Sequence, residues 1–283
     1  MNYNSAYAQS IADQLVLAIQ SKKIDVPILP DATHKILSIT QDPDSDALQL
    51  ANILQSEPTL SGHVMSIANS AAYSAASNLV SLQQAITRLG IIEISNIAIA
   101  ASLNNKLFKA QGYEQHVANI WLHALLTARW SKEVARKQKK NVEAAFLCGL
   151  LHSIGNIVIL QTIADFRSSQ DSVMGDYDLD MLFTQYQSDV CAVVAETWAL
   201  PNIITEAITY HSHFKDAPYH SDIAAAVYFS RQLATHTCDA AALPTEELRQ
   251  SSALSILNLY PNEINELLAC TPMIMQDAKS LTL

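Results

Sequence analysis

An all-α, multi-helical fold in two packed lobes is the class this chain predicts, on three observations. The 283 residues include only 6 Gly, where average usage of ~7% would give roughly twenty, so residues suited to tight turns are scarce. Hydrophobic residues make up 49% of the chain, with many Ala, Leu and Ile, and a composition poor in turn formers and rich in straight-chain residues favours helix. The third observation is residues 144–160, AAFLCGLLHSIGNIVIL, where Phe146, Leu147, Leu150, Leu151, Ile154, Ile157 and Val158 recur at helical spacing. This stretch is apolar almost throughout yet carries His152, Ser153 and Asn156 in its middle. A polar group inside an apolar run is costly to bury unless something bonds it. Gly155 stands where two helices can meet or pass closely, and the stretch reads as the central buried segment.

Taken in order, residues 5–21 form an amphipathic helix, and residues 24–30, IDVPILP, are extended because each proline disfavours helix in the residue before it. Short capped helices follow over 31–39, 45–55 after the turn QDPD, and 58–71, with Pro58 suited to a first helical turn. Asn69 and Ser70 end the last of these by satisfying its carbonyls. Ser81 and Gln84 form a capping-box pattern, and Gly90 is placed to end that helix in a left-handed conformation before a new apolar helix over 91–107. A long helix over 113–139 carries His116 and His123 on one face and ends in a basic cluster, Arg129, Lys132, Arg136, Lys137, Lys139 and Lys140, read as its solvated, dipole-favoured end. Residues 167–180 are a polar surface loop, 181–197 a helix, and a further helix ends at His211. Residues 223–235 are helical with Ala224, Val227, Tyr228 and Arg231 in register, and the tail beyond 244 is a helical pack broken at Pro261 and Pro272.

The formal charge of -10 opposes nonspecific nucleic-acid binding, and the helix after Gly90 has no basic face to enter a groove. The 4 Cys form no CxxC pair, which points to reduced, mostly buried thiols. The N-terminus lacks a signal-peptide pattern and no window is an uninterrupted apolar span. A soluble, cytoplasmic protein with no membrane contact is expected.

Several of these residues together resemble a known family. Ile28-Leu29-Pro30, SEPTLSGHVMSIANSAAY at 56–73, SLQQAITRLG at 81–90, Trp121-Leu122-His123, Leu150-Leu151-His152-Ser153-Ile154-Gly155 and Trp198-Ala199-Leu200-Pro201 are similar, in order and spacing, to the motifs of HDOD domains. These are relatives of the HD phosphohydrolases. Glu57 replaces the family's usual aspartate. The resemblance divides the chain into an N-terminal helix (1–24), an HDOD-like domain (25–235, with lobes of about 25–112 and 113–235) and a C-terminal helical extension packed on it (236–283).

The resemblance also implies a site. The superfamily's metal-binding histidines fall on His123, His152 and His211, its adjacent aspartate on Ser153, a further histidine near Gln187, the second residue of a His-His pair on Ser212, and a late helix aspartate near Ser230. His213 is set aside because one residue along a helix turns a side chain by about 100°. Hydroxyls are poor ligands for divalent ions at neutral pH and supply no charge, so a two-metal phosphodiesterase is not expected, no residue is assigned as catalytic, and no cofactor is expected. Two other readings of the histidines stand beside this one. Three imidazoles with an open fourth position can hold a lone zinc or nickel, or they are buried groups bonded to one another, to the serines and to water.

The implied function is a bacterial, non-catalytic HDOD signal-transduction module with a degenerate metal site, acting on a protein partner in trans or a small anionic ligand. The alternative is a metal-dependent phosphohydrolase, acting on phosphodiesters or nucleotides, that works from a histidine-only site. The oligomeric state is left open.

Overall fold

The computed structural model describes residues 6–21, 23–40, 44–73, 79–103, 108, 110–166 and 173–281. Every regular element among them is a helix, as composition and periodicity predict. Helix α1 (Ala6–Gln20) buries Ala8, Ile11, Ala12 and Leu15, a helical stripe, against two helices of the second lobe, α9 (Ile154–Phe166) and α10 (Asp176–Thr197). The proline-bearing segment after it is extended, and the Trp198 indole N–H donates to the Pro27 carbonyl at 2.8 Å. Trp198 is therefore both a core anchor and a clamp on this arm.

The first lobe contains α2 (Asp31–Ile39), α3 (Ala47–Gln55), α4 (Pro58–Ala68), α5 (Leu82–Leu89) and α6 (Ile91–Ser102). Asp46 caps α3 by accepting from the Gln49 N–H, and Pro58 opens α4. Three local expectations need correction. Helix α4 stops at Ala68, and backbone N–H groups of Asn69 and Ser70 satisfy its carbonyls. The Asn69 side chain instead clamps the far side of the loop, accepting from Leu79 N–H at 2.7 Å and donating to Leu79 O at 3.0 Å. Ser81 does cap α5, but the Gln84 carboxamide accepts from Val80 rather than from the cap residue itself. Gly90 has φ +88° as expected of a glycine-only position, yet its ψ of 158° is extended and not left-handed helical. That conformation bends α6 away from α5 by 118° in a single residue. Helix α6 ends at Ser102; residues 104–107, and most of the QDPD turn, lie outside the described residues.

The second lobe is formed by α7 (Glu114–Lys137), α8 (Val142–Leu151), α9, α10, α11 (Asn202–Tyr210), a 310 turn (His211–Asp216) and α12 (Ser221–Cys238). Residues 176–180, expected in a surface loop, are the first turn of α10. Asp176 and Asp178 stand there at its positive end, while 167–172 lie outside the described residues. Val142–Phe166 is long and apolar enough to cross a membrane by length and composition, and most of it is buried inside this lobe.

The basic cluster is a solvated helix end only from Arg136 onward; its first two members, Arg129 and Lys132, are not solvated. Arg129 is buried, donates to Glu93 of α6 at 2.7 Å and to the Tyr73 hydroxyl, and lies over the Phe146 ring. Lys132 meets the same carboxylate, so Glu93 joins the two lobes through two cations. Lys137 pairs with Glu266 and Lys140 with Asp222. The tail adds α13 (Thr245–Arg249), α14 (Leu254–Leu257), α15 (Pro261–Leu268) and α16 (Thr271–Ser280); α13 and α14 pack on α12, and α16 on α7. Pro261 and Pro272 begin helices here. Cys148 and Cys191 are buried, whereas Cys238 is exposed and Cys270 partly so; all four are free thiols.

Helices approach closely at two glycines. A methyl group on Gly149 of α8 would lie 2.7 Å from the Ala128 Cα and 2.8 Å from the Thr127 carbonyl oxygen of α7. One on Gly155 of α9 would lie 2.7 Å from the Gln187 carbonyl oxygen of α10, the close approach its position suggested. Backbone cannot yield as a flexible side chain can, so G149A is expected to destabilise the protein by about 1–3 kcal/mol. G62A, on the exposed face of α4 with nothing within 4 Å, is expected to stabilise it by roughly 0.5–1 kcal/mol. Urea denaturation of the two variants checks both signs.

Candidate functional site

The apolar run of α8 and α9 breaks at His152 and Ser153, between the two glycines. A helix end leaves carbonyls without intrahelical partners, and here the His152 carbonyl is taken up by α10. The Gln187 side-chain N–H donates to it at 2.8 Å and the Cys191 thiol at 3.7 Å. The His152 ring turns back so that Nδ1 meets the Gly149 carbonyl at 2.7 Å. His211 repeats the arrangement where α11 gives way to the 310 turn, its Nδ1 meeting Ile208 O at 3.1 Å. The His123 Nε2 lies 3.1 Å from the Thr235 hydroxyl of α12. The imidazoles thus bond mainly to backbone and to Thr235; bonding to one another and to the serines, one of the sequence expectations, is not the arrangement found.

The three rings nevertheless gather. The His152 ring centroid is 5.9 Å from that of His123 and 5.3 Å from that of His211, the latter edge-on. In front of them opens a cavity of about 970 Å³. His152 and Ser153 line its floor, His123 the α7 side, Gln187 the α10 side and Ser212 the 310 turn. His211 sits behind His152, fully buried. Ser230 is fully buried on α12 and does not line the cavity; its hydroxyl has no hydrogen-bond partner among the described residues. The same holds for the Ser153 hydroxyl, the Asn156 carboxamide oxygen and His211 Nε2.

Of the wall residues that sequence reasoning did not assign to the site, Arg231 and His213 had been placed elsewhere or set aside. Arg231, which its spacing placed in the packed register of α12, lines the cavity in the place expected near Ser230 and keeps solvent access. His213, set aside by a helical-rotation argument, also lines it, because the chain there is not α-helical: His213 has φ -137° and ψ 51°. The only signal for it was the density of polar residues in HSHFKD; for Arg231 there was none. His116 stays apart, paired with Asp176 at 3.0 Å.

Burial, and then the positive charge of Arg231, push the His123 imidazole down to about 4 and that of His211 to about 3. His152 is held well below 6.5 by burial, then by His211 and His123, with its Gly149 bond opposing. All three are therefore neutral at pH 7. These residues do not fit the two-ion centre of the HD superfamily. The positions that the resemblance gives to aspartates hold Ser153 and Ser230, that of a further histidine holds Ser212, a guanidinium faces the cavity, and no group of three His, Cys, Asp or Glu among the described residues is arranged to share an ion. No reaction step is derived through a metal.

Neutral burial has a consequence for stability. Below the ordinary imidazole value of 6.5 the unfolded chain takes up protons that the folded chain refuses. Stability is therefore complete above that pH and falls as the pH drops toward the folded values. Each such histidine contributes a slope of about 1.4 kcal/mol per pH unit once it is well below its unfolded pKa. The melting temperature is expected to fall between about pH 7.5 and pH 5, with a shallower slope in H211Q. Thermal denaturation by circular dichroism checks this, and a flat profile would contradict it.

Comparison with known proteins places this geometry. The HDOD domain family profile matches residues 26–214, more than half of the chain. An HDOD domain protein of unknown function from Geobacter sulfurreducens superposes with a TM-score of 0.74 at 22% identity, covering 97% of this chain and 98% of that one. A candidate signal transduction protein from Marinobacter aquaeolei VT8 gives 0.73 at 24% identity, over 100% of this chain and 68% of that one. A candidate metal-dependent phosphohydrolase from Shewanella amazonensis SB2B gives 0.71 at 18%, over 97% and 100%. At these identities the likeness is one of fold. A protein of Treponema pallidum (strain Nichols) is 19% identical over 218 residues, 74% of this chain but 42% of that protein, so the chain spans less than half of that relative's length. With motif order, helical architecture and family match in agreement, the chain belongs to the HDOD domain family.

Proposed function

We propose that this HDOD protein is a non-catalytic signal-transduction module that works in the cytoplasm through a protein partner in trans or a small ligand. The observation that carries the reading is the donor set of the cavity. Hydrolysis on an HD-type site relies on metal ions that activate water and neutralise a phosphoryl oxygen, and such ions need anionic ligands close by. Neutral imidazoles, hydroxyls and a guanidinium face the cavity at its histidine end instead. The likeness to the Marinobacter aquaeolei protein, itself described as a candidate signal transduction protein, agrees with this reading.

One observation favours the second reading, a phosphohydrolase using a histidine-only metal site. His123, His152 and His211 lie ring to ring at 5.9 and 5.3 Å, and side-chain rotation would be needed to bring a nitrogen of each onto one ion. Elemental analysis of tag-free protein separates the two. Stoichiometric metal that is lost in H123A or H211A supports the enzyme; its absence supports the module.

The purified protein is expected to show no hydrolysis of cyclic dinucleotides, nucleotides or generic phosphodiesters with manganese, iron or zinc. Turnover that disappears in H152A would overturn the proposal.

A further inference from the structure

Arg231 carries a charge that nothing nearby answers. It projects from α12 into the cavity, and no carboxylate among the described residues pairs with it. Several cations of α7 and its end are paired by contrast: Arg129 and Lys132 with Glu93, Lys137 with Glu266, Lys140 with Asp222. In a chain of net charge -10 an unanswered guanidinium in a concave site is conspicuous. It has five N–H donors in a planar fork suited to two oxygens of a phosphate or carboxylate.

A second, independent observation lies on the floor of the same cavity. Ser153 is only 5% exposed, and its hydroxyl has no hydrogen-bond partner among the described residues. Leaving a buried hydroxyl unbonded forfeits its hydration without replacement, a cost that a ligand oxygen would remove. The Ser212 hydroxyl and the His213 ring line the cavity close to each other in the 310 turn and offer further donors. The acids of the cavity, Asp180 and Asp189, are both exposed and both on α10, and neither reaches Arg231.

We infer that the cavity binds the phosphoryl group of a small phosphorylated metabolite, held by Arg231 with the Ser153 hydroxyl. The inference rests on the non-catalytic reading above and specifies its ligand. In this arrangement a guanidinium does for the anion what metal ions do in a hydrolase, but without supplying an activated water. The anion is bound and not cleaved. At about 970 Å³ the cavity is far larger than a phosphate ion and lies at the upper end of the range for small-molecule sites. The rest of the ligand would occupy the space between α7 and α10, beside Asn119, Phe183 and Thr184.

The test is calorimetric titration of the full chain, in EDTA, with inorganic phosphate, AMP and adenosine, repeated on R231Q and R231K. Phosphate and AMP are expected to bind. Adenosine should bind at least about tenfold more weakly than AMP, and R231Q should weaken both anions by about tenfold or more, the scale of a lost charge-assisted pair. R231K should retain part of the affinity, and circular dichroism of R231Q should match the parent. No binding of phosphate or AMP, or equal binding by the parent and R231Q, would overturn the inference. AMP no tighter than phosphate would overturn the metabolite and leave free phosphate as the occupant. Because the titration contains no metal and reads no turnover, its failure is distinct from that of the non-catalytic proposal, which is tested by hydrolysis and by histidine-held metal.

Discussion

The site depends on two places where helices touch without room for a methyl group. Gly149 holds α8 against α7 and Gly155 holds α9 against α10, so the break between them is fixed from both sides. His152 and Ser153 are the residues in that break. Their positions follow from backbone contact and not from side-chain preference, and packed backbone does not adjust gradually. The His152 carbonyl, freed where α8 ends, is in turn bound by Gln187. A residue that motif order would make a ligand therefore also serves as the latch between α9 and α10.

Electrostatics at this break run opposite to those of a metallohydrolase. Such an enzyme surrounds its ions with acids; here burial keeps three imidazoles neutral and Arg231 reinforces this for His123 and His211. At the histidine end of the cavity an added cation would meet neutral imidazoles and Arg231, while an anion would meet donors. Where the resemblance would place an aspartate, Ser153 brings the cavity a hydroxyl and no charge to set against that of Arg231.

How much of this was legible in the residues varies with the range of the interaction. Helices α3 and α5 were readable because their caps and apolar spacing are local, α2 from its spacing alone since no side chain caps it, and Gly90 because a positive φ is a property of one residue. The grouping of His123, His152, Ser153, Gln187 and Ser212 was readable from motif order, since related sequences fold these segments together. Arg129 was misread because its partner, Glu93, lies 36 residues upstream and nothing local marks the pair. Arg231 was misread because spacing shows which residues share a helix face but not which end of that face is left unpacked. His213 was misread because the rotation of about 100° per residue applies to an α-helix, and a 310 turn with a kinked residue obeys no such rule.

The clamp from Trp198 to Pro27 spans 171 residues. On a ribosome the amino-terminal arm is made early but its partner emerges only after most of the second lobe has been synthesised, and contacts that close such long loops form late. Until then the apolar stripe of α1 has no surface to cover it, and exposed stripes of that kind invite misassociation of nascent chains. Because α1 is made before the helices α9 and α10 that cover it, its seating waits on the synthesis of the second lobe.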